Sequence, residues 1–113
     1  MDLEIVDLGN NIVRVMLRGR LDTPGVDRVE TRFAAAIVPQ GRHAIVDLSD
    51  VSFIASMGLR MFISVARVLA RKQARMVLLG PTPLVSEVFI NASLEQVIPI
   101  ARDEPHAREL LAG

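Results

Sequence analysis

The spacing of apolar and polar positions changes period several times along the chain. Ile5–Leu8 and Ile12–Leu17 are short β-rich runs. In the second, Val13, Val15 and Leu17 alternate with Arg14, Met16 and Arg18, the period-2 pattern of a half-buried strand. Gly9-Asn10-Asn11 lies between the two runs and tolerates positive φ, as a tight hairpin requires. Arg20–Gly25 reads as a loop, with Pro24 and Gly25 as breakers. From Val26 to Val38 the spacing becomes helical, with Val26, Val29, Phe33 and Ile37 on one stripe, and Pro39-Gln40-Gly41 ends it. Ala44–Leu48 and Ala74–Gly80 are apolar runs of the kind expected in buried parallel strands. Helices are predicted over 56–72, 84–91 and 105–111, and a short edge strand over 97–100, where Pro99 is tolerated. The order β-β-α-β-α-β-α-β-α predicts one α/β domain over residues 1–113. Its sheet is mixed and mostly parallel, with about five strands opening on a hairpin and about four helices packed on it.

Composition narrows the chemistry. Half of the 113 residues are apolar, which suits one packed domain. Thirteen basic residues balance thirteen acidic ones, so no broad field draws the chain to nucleic acid or an anionic membrane. No cysteine is present, which removes disulfides and thiol chemistry. The start, Met1-Asp2-Leu3-Glu4, lacks the basic and apolar regions of a signal peptide. Apolar stretches stop well short of the ~20 residues that span a bilayer, so a cytoplasmic protein is expected. His43 and His106 are too far apart to suggest a metal pair, and neither is placed to serve a nucleophilic serine as base. No catalytic residue, cofactor or metal is expected.

The informative stretch is Asp47-Leu48-Ser49-Asp50-Val51-Ser52-Phe53-Ile54-Ala55-Ser56-Met57-Gly58-Leu59. It leaves a buried strand, makes a turn, touches the core through Val51, Phe53 and Ile54, and enters a helix at Ser56. A serine hydroxyl is thereby placed at a helix N-terminus beyond the carboxyl end of a parallel strand, where open α/β sheets present their sites. Serine also favours the N-cap position itself. Asp47 and Asp50 beside the turn are expected to satisfy local backbone donors.

The segment resembles the signature of STAS domains, in particular anti-sigma factor antagonists, which run Asp-Leu-Ser-x-Val-x-Phe-hydrophobic-Asp-Ser-Ser/Ala-Gly-Leu. Asp47, Leu48, Ser49, Val51, Phe53, Ser56, Gly58 and Leu59 fall in place. Leu17-Arg18-Gly19-Arg20-Leu21-Asp22 is similar to the family's Leu-x-Gly-x-Leu-Asp, and Pro83–Phe89 to the segment entering its third helix. The resemblance implies a bacterial protein-binding switch, not an enzyme. Its partner would be an anti-sigma factor with a serine-kinase fold, which phosphorylates the serine aligned with Ser56, and a phosphoserine phosphatase would reset the switch. Two positions depart from the pattern, since Ala55 stands where the family often has Asp, and Met57 where it often has Ser or Ala. Ala55 also admits a STAS interaction module without a phosphoswitch, such as a scaffold or an accessory subunit of a lipid-transport ABC complex.

At 100° per residue, the helix from Ser56 puts Gly58, Phe62, Val65, Ala66, Leu69 and Ala70 on its core face and Arg60, Arg67 and Arg71 on a basic face. Met57, Met61 and Val68 fall close together, on the side expected to face away from the core. The expected partner surface is therefore Asp22, Thr23, Ser56, Met57, Gly58, Arg60 and Met61, with Gly58 letting a partner's backbone approach. Whether two copies pair as a homodimer stays open at this level.

Overall fold

The structure, a computed structural model, describes residues 1–112; Gly113, the last residue of the expected domain, lies outside the described residues. Strand β1 (Asp2–Gly9) and strand β2 (Ile12–Leu21) form the opening hairpin. Asn10 and Asn11 both adopt positive φ, 53° and 60°, which matches the twist of a two-residue hairpin. Helix α1 (Thr23–Ile37), strand β3 (His43–Ile54), helix α2 (Ser56–Arg71), strand β4 (Met76–Leu79) and helix α3 (Pro83–Asn91) follow. A 3₁₀ turn (Leu94–Gln96), strand β5 (Ile100–Ala101) and helix α4 (Glu104–Ala112) complete the chain.

The strands lie in sequential order, β1-β2-β3-β4-β5, antiparallel at β1–β2 and parallel elsewhere. Side chains alternate across each strand. One face (Val13, Val15, Leu17, Ala44, Val46, Leu48, Met76, Leu78) forms the main core with α1, α2 and α3. The other face (Ile45, Val77, Leu79, Ala101) is covered by Ala107 and Leu111 of α4. This two-sided cover explains why β3 and β4 read as unbroken apolar runs while β2 alternates. Phe33 of α1 meets Phe62 of α2 at 5.7 Å between ring centroids, a tilted pair that fixes the two helices together.

Several boundaries differ from expectation. Arg20 and Leu21 belong to β2, and α1 begins at Thr23, three residues before its apolar stripe. Strand β3 runs through the expected turn as far as Ile54, because β2 pairs with it throughout, with register shifts at Met16/Arg18 and Gly19/Arg20. The last strand is Ile100–Ala101 only; of the preceding residues Ile98 is buried and Val97 exposed.

Candidate functional site

Three parallel strands end side by side, and each is followed by a helix on the same face of the sheet. The N-termini of α1, α2 and α3 therefore share the carboxyl edge of the sheet. Two ties hold their connections together. The Ala55 amide donates to the Leu21 carbonyl at 3.0 Å, which joins the start of α2 to the end of β2. The Thr82 hydroxyl donates to the Val51 carbonyl at 3.4 Å and also accepts from the Val85 amide, so it caps α3 while binding it to β3.

Asp22 is the N-cap of α1, and its Oδ1 accepts from the Gly25 amide at 2.9 Å. That hydrogen bond, with help from Arg20, holds the Asp22 carboxyl below its usual pKa despite some desolvation. Thr23 follows as an exposed first residue of the helix.

Ser56 is exposed, and it is the first helical residue of α2 rather than its cap. Ala55 occupies the cap position with extended backbone (φ −108°, ψ 175°), and its methyl group can accept no hydrogen bond. The Ala55 carbonyl takes the Gly58 and Leu59 amides at 2.9 and 3.3 Å. The amides of Ser56 and Met57 precede these and have no partner within the helix. The helix thus begins at Ser56 as expected, and the residue that caps it is Ala55. The cap lacks a side-chain acceptor, and the serine stands one position inside, beside open N–H groups.

The helical faces also need correction. Met61 is only 4% exposed. It turns toward α1, and it lines a groove of about 310 Å³ with Glu30, Ala34, Val38, Ser64, Val65 and Val68. The core stripe of α2 is wider than expected because α1 as well as the sheet packs on it. Gly58 is buried as well, and a Cβ there would sit 2.8 Å from Ile54 Cγ1 and 3.2 Å from Leu21 Cβ. Its missing side chain serves close packing of α2 on the strand ends, not a partner's approach. Met57 is half-buried, whereas Arg60, Arg67 and Arg71 are exposed as expected.

Three features escaped sequence reasoning. Arg20 lies over the Phe53 ring at 4.3 Å, a cation–π contact between strand partners. Leu84, in the first turn of α3, is 55% exposed at the shared edge. On the other side of the sheet, Arg14 pairs with Asp47 and Glu104, each at 2.6 Å. Burial alone would raise the Asp47 pKa, but hydrogen bonds from the Ser49 hydroxyl and amide, with the Arg14 pair, bring it below the usual value. Asp47 thus meets the expected local donors at Ser49. Asp50 instead lies exposed, 3.6 Å from Arg18. Only the Thr82-Pro83 pair, a cap followed by a first-turn proline, carried a local signal that could have placed the start of α3.

His43 opens β3 at the end remote from Ser56, and its Nδ1 accepts from the Arg75 amide. His106 Nδ1 accepts from the Arg102 amide beside α4. Each ring thereby serves local backbone, and neither borders Ser56. No cluster of three metal-ligating side chains occurs among the described residues. No described helix is long and apolar enough to cross a membrane.

Comparison with known proteins agrees with this architecture. A relative in Bordetella bronchiseptica, provisionally named the anti-sigma factor antagonist BtrV, is 30% identical over 91 residues, covering 80% of this chain and 78% of the relative. The crystal structure of an anti-sigma factor antagonist from Mycobacterium paratuberculosis superposes with a TM-score of 0.86 at 18% identity, covering 99% of this chain and 94% of that one. The Bacillus cell fate determinant SpoIIAA in its phosphorylated form gives a TM-score of 0.68 at 22% identity, covering 96% and 99% of the two chains. The profile of the STAS domain family matches residues 5–107, and with that match and the shared fold, this chain belongs to the STAS domain family.

Proposed function

We propose that this protein is an anti-sigma factor antagonist, a non-catalytic binding module whose docking to an anti-sigma factor is switched off by phosphorylation of Ser56. The observation that carries the reading is Ser56 itself, exposed at the first position of α2 behind a cap with no side-chain acceptor. A phosphate at that hydroxyl adds roughly 1.5–2 negative charges. It lies beside open first-turn amides and the positive end of the helix dipole, where an anion is well tolerated. The name of BtrV supports the function, and the phosphorylated form of SpoIIAA shows a protein of this fold carrying the modification.

The partner is an anti-sigma factor with a serine-kinase fold, which donates the phosphoryl group, and a phosphoserine phosphatase reverses the transfer. Thr23, Ser56, Met57 and Arg60 form the contact surface. Asp22, Gly58 and Met61 act from behind it by capping α1, seating α2 and packing α2 on α1. Exposed Leu84 at the same edge extends the surface on its α3 side. The protein works in the cytoplasm, where such partners reside.

Ala55 favours a second reading, a STAS interaction module without phosphorylation, because the residue removes a negative charge that a kinase could read. Intact-mass measurement separates the two, using protein isolated from its native host across growth and stress conditions. A single added phosphate in the wild type, absent from Ser56→Ala, is the expected result. Its absence under every condition would replace the switch with a constitutive binding module, with a scaffold or transport-complex partner.

A further inference from the structure

Toward the groove between them, helices α1 and α2 carry charges of opposite sign, while Arg28 and Arg32 of α1 lie on its other side, beside Met1 and Leu3. Asp27 and Glu30 stand on α1, and Arg60 and Arg67 stand on α2, all four exposed. None of the four takes part in an ion pair among the described residues. Between the rows runs the groove floored by Ala34, Val38, Met61 and Val68, with a volume of about 310 Å³. The surface is therefore an apolar trough with an acidic row on one helix and a basic row on the other.

We propose that this surface pairs with itself, joining two copies of the chain about a two-fold axis parallel to α1 and α2. Both helices return from one parallel strand to the next, so they run in the same direction. Rotation about an axis along the groove lays α1 of one copy over α2 of the other and keeps height along the helices unchanged. Asp27 and Arg60 each lie four residues past the first residue of their helix, Thr23 and Ser56, so they meet at the same height. Glu30 and Arg67 differ by four further residues, about 6 Å at 1.5 Å per residue, which long side chains span. The two-fold makes every such pair occur twice. A partner of single sign would match one row and repel the other, whereas a second copy turned about this axis presents both signs in the order required.

The helices have 15 and 16 residues and are about 22–24 Å long. At the usual 8–10 Å between axes, the paired face is at the small end of specific interfaces. The dimer is therefore weak, concentration-dependent and salt-sensitive. Arg60 belongs both to this row and to the surface around Ser56. On the functional reading proposed above, pairing and partner docking then compete for it.

Sedimentation velocity on the intact chain, from about 10 μM to about 1 mM, tests the proposal at low and at high salt. A monomer–dimer equilibrium weakened by salt is expected. Glu30→Arg and Arg67→Glu, both outside the Ser56 surface, each raise the dissociation constant about fivefold or more. The double variant with both changes restores it, because the pair between positions 30 and 67 re-forms with its signs exchanged while Asp27 and Arg60 still meet. A monomer throughout the range, a dimer indifferent to both reversals, or a double variant no better than the singles would each overturn the proposal. The assay contains neither anti-sigma factor nor phosphate, so a monomeric result leaves the Ser56 reading standing.

Discussion

At the scale of single residues, Ala55 has the clearest physical consequence. Its backbone already holds the extended conformation of an N-cap, yet the methyl side chain leaves the amide of Met57 without the acceptor that Asp, Asn or Ser would supply. Ala55→Asp places a carboxylate there at no backbone cost, and the charge also favours the positive end of the helix. The variant should be more stable by about 1 kcal/mol, raising the melting temperature by about 3–6 °C in a domain of this size. Urea and thermal unfolding would measure the gain. An equal or lower stability would show that the first turn of α2 is satisfied in some other way. The same position illustrates what sequence could and could not convey. Ser56 was legible as a helix start, but whether it caps the helix or begins it depends on backbone angles one residue earlier. A serine preceded by alanine carries no sign of that choice.

At the scale of elements, the prediction concerns α4. The helix covers the second face of the sheet with few side chains, chiefly Ala107 and Leu111, and Glu104 fastens its first turn to Arg14. Glu104→Gln keeps the size and removes the charge from both the Arg14 and Arg108 pairs. Amide exchange in α4 should then quicken several-fold, while α1, α2 and the central strands keep their protection. Uniform quickening across the domain would mean that α4 unfolds only with the whole. The elements themselves were largely readable, because β2 alternates, β3 and β4 are continuous apolar runs, and α1 repeats at helical spacing. What was not readable depended on neighbours distant in sequence. Helical spacing alone turns Met61 away from the sheet, and its burial comes from α1 packing beside it. Strand β3 extends to Ile54 because β2 supplies partners through two register shifts, which no local pattern announces. The Arg14, Asp47 and Glu104 cluster joins residues 33 and 90 positions apart.

At the scale of the whole molecule, carboxyls with lowered pKa make stability depend on acid. Thirteen acidic side chains offset thirteen basic ones, and among the described residues the two carboxyls held below their usual pKa are Asp22 and Asp47. A carboxyl whose folded pKa is depressed contributes stability that is present above its unfolded value, about 3.9, and lost as pH falls through the folded value. Stability should therefore be nearly level from about pH 8 to 5 and fall below about pH 4. Protonation of Asp47 then leaves Arg14 with one fewer partner, its Nε being already buried without one. Asp47→Asn isolates this contribution. At neutral pH the variant should be less stable by about 1–3 kcal/mol, the usual loss when one member of a charged, partly buried hydrogen-bonded pair is removed. In acid the two proteins should converge, because the wild type has lost the same charge. Melting temperatures from pH 3 to pH 8 would decide the matter. A gap of constant size across that range would place the cost of the substitution in packing and hydrogen-bond geometry, and would remove Asp47 from the account of acid sensitivity.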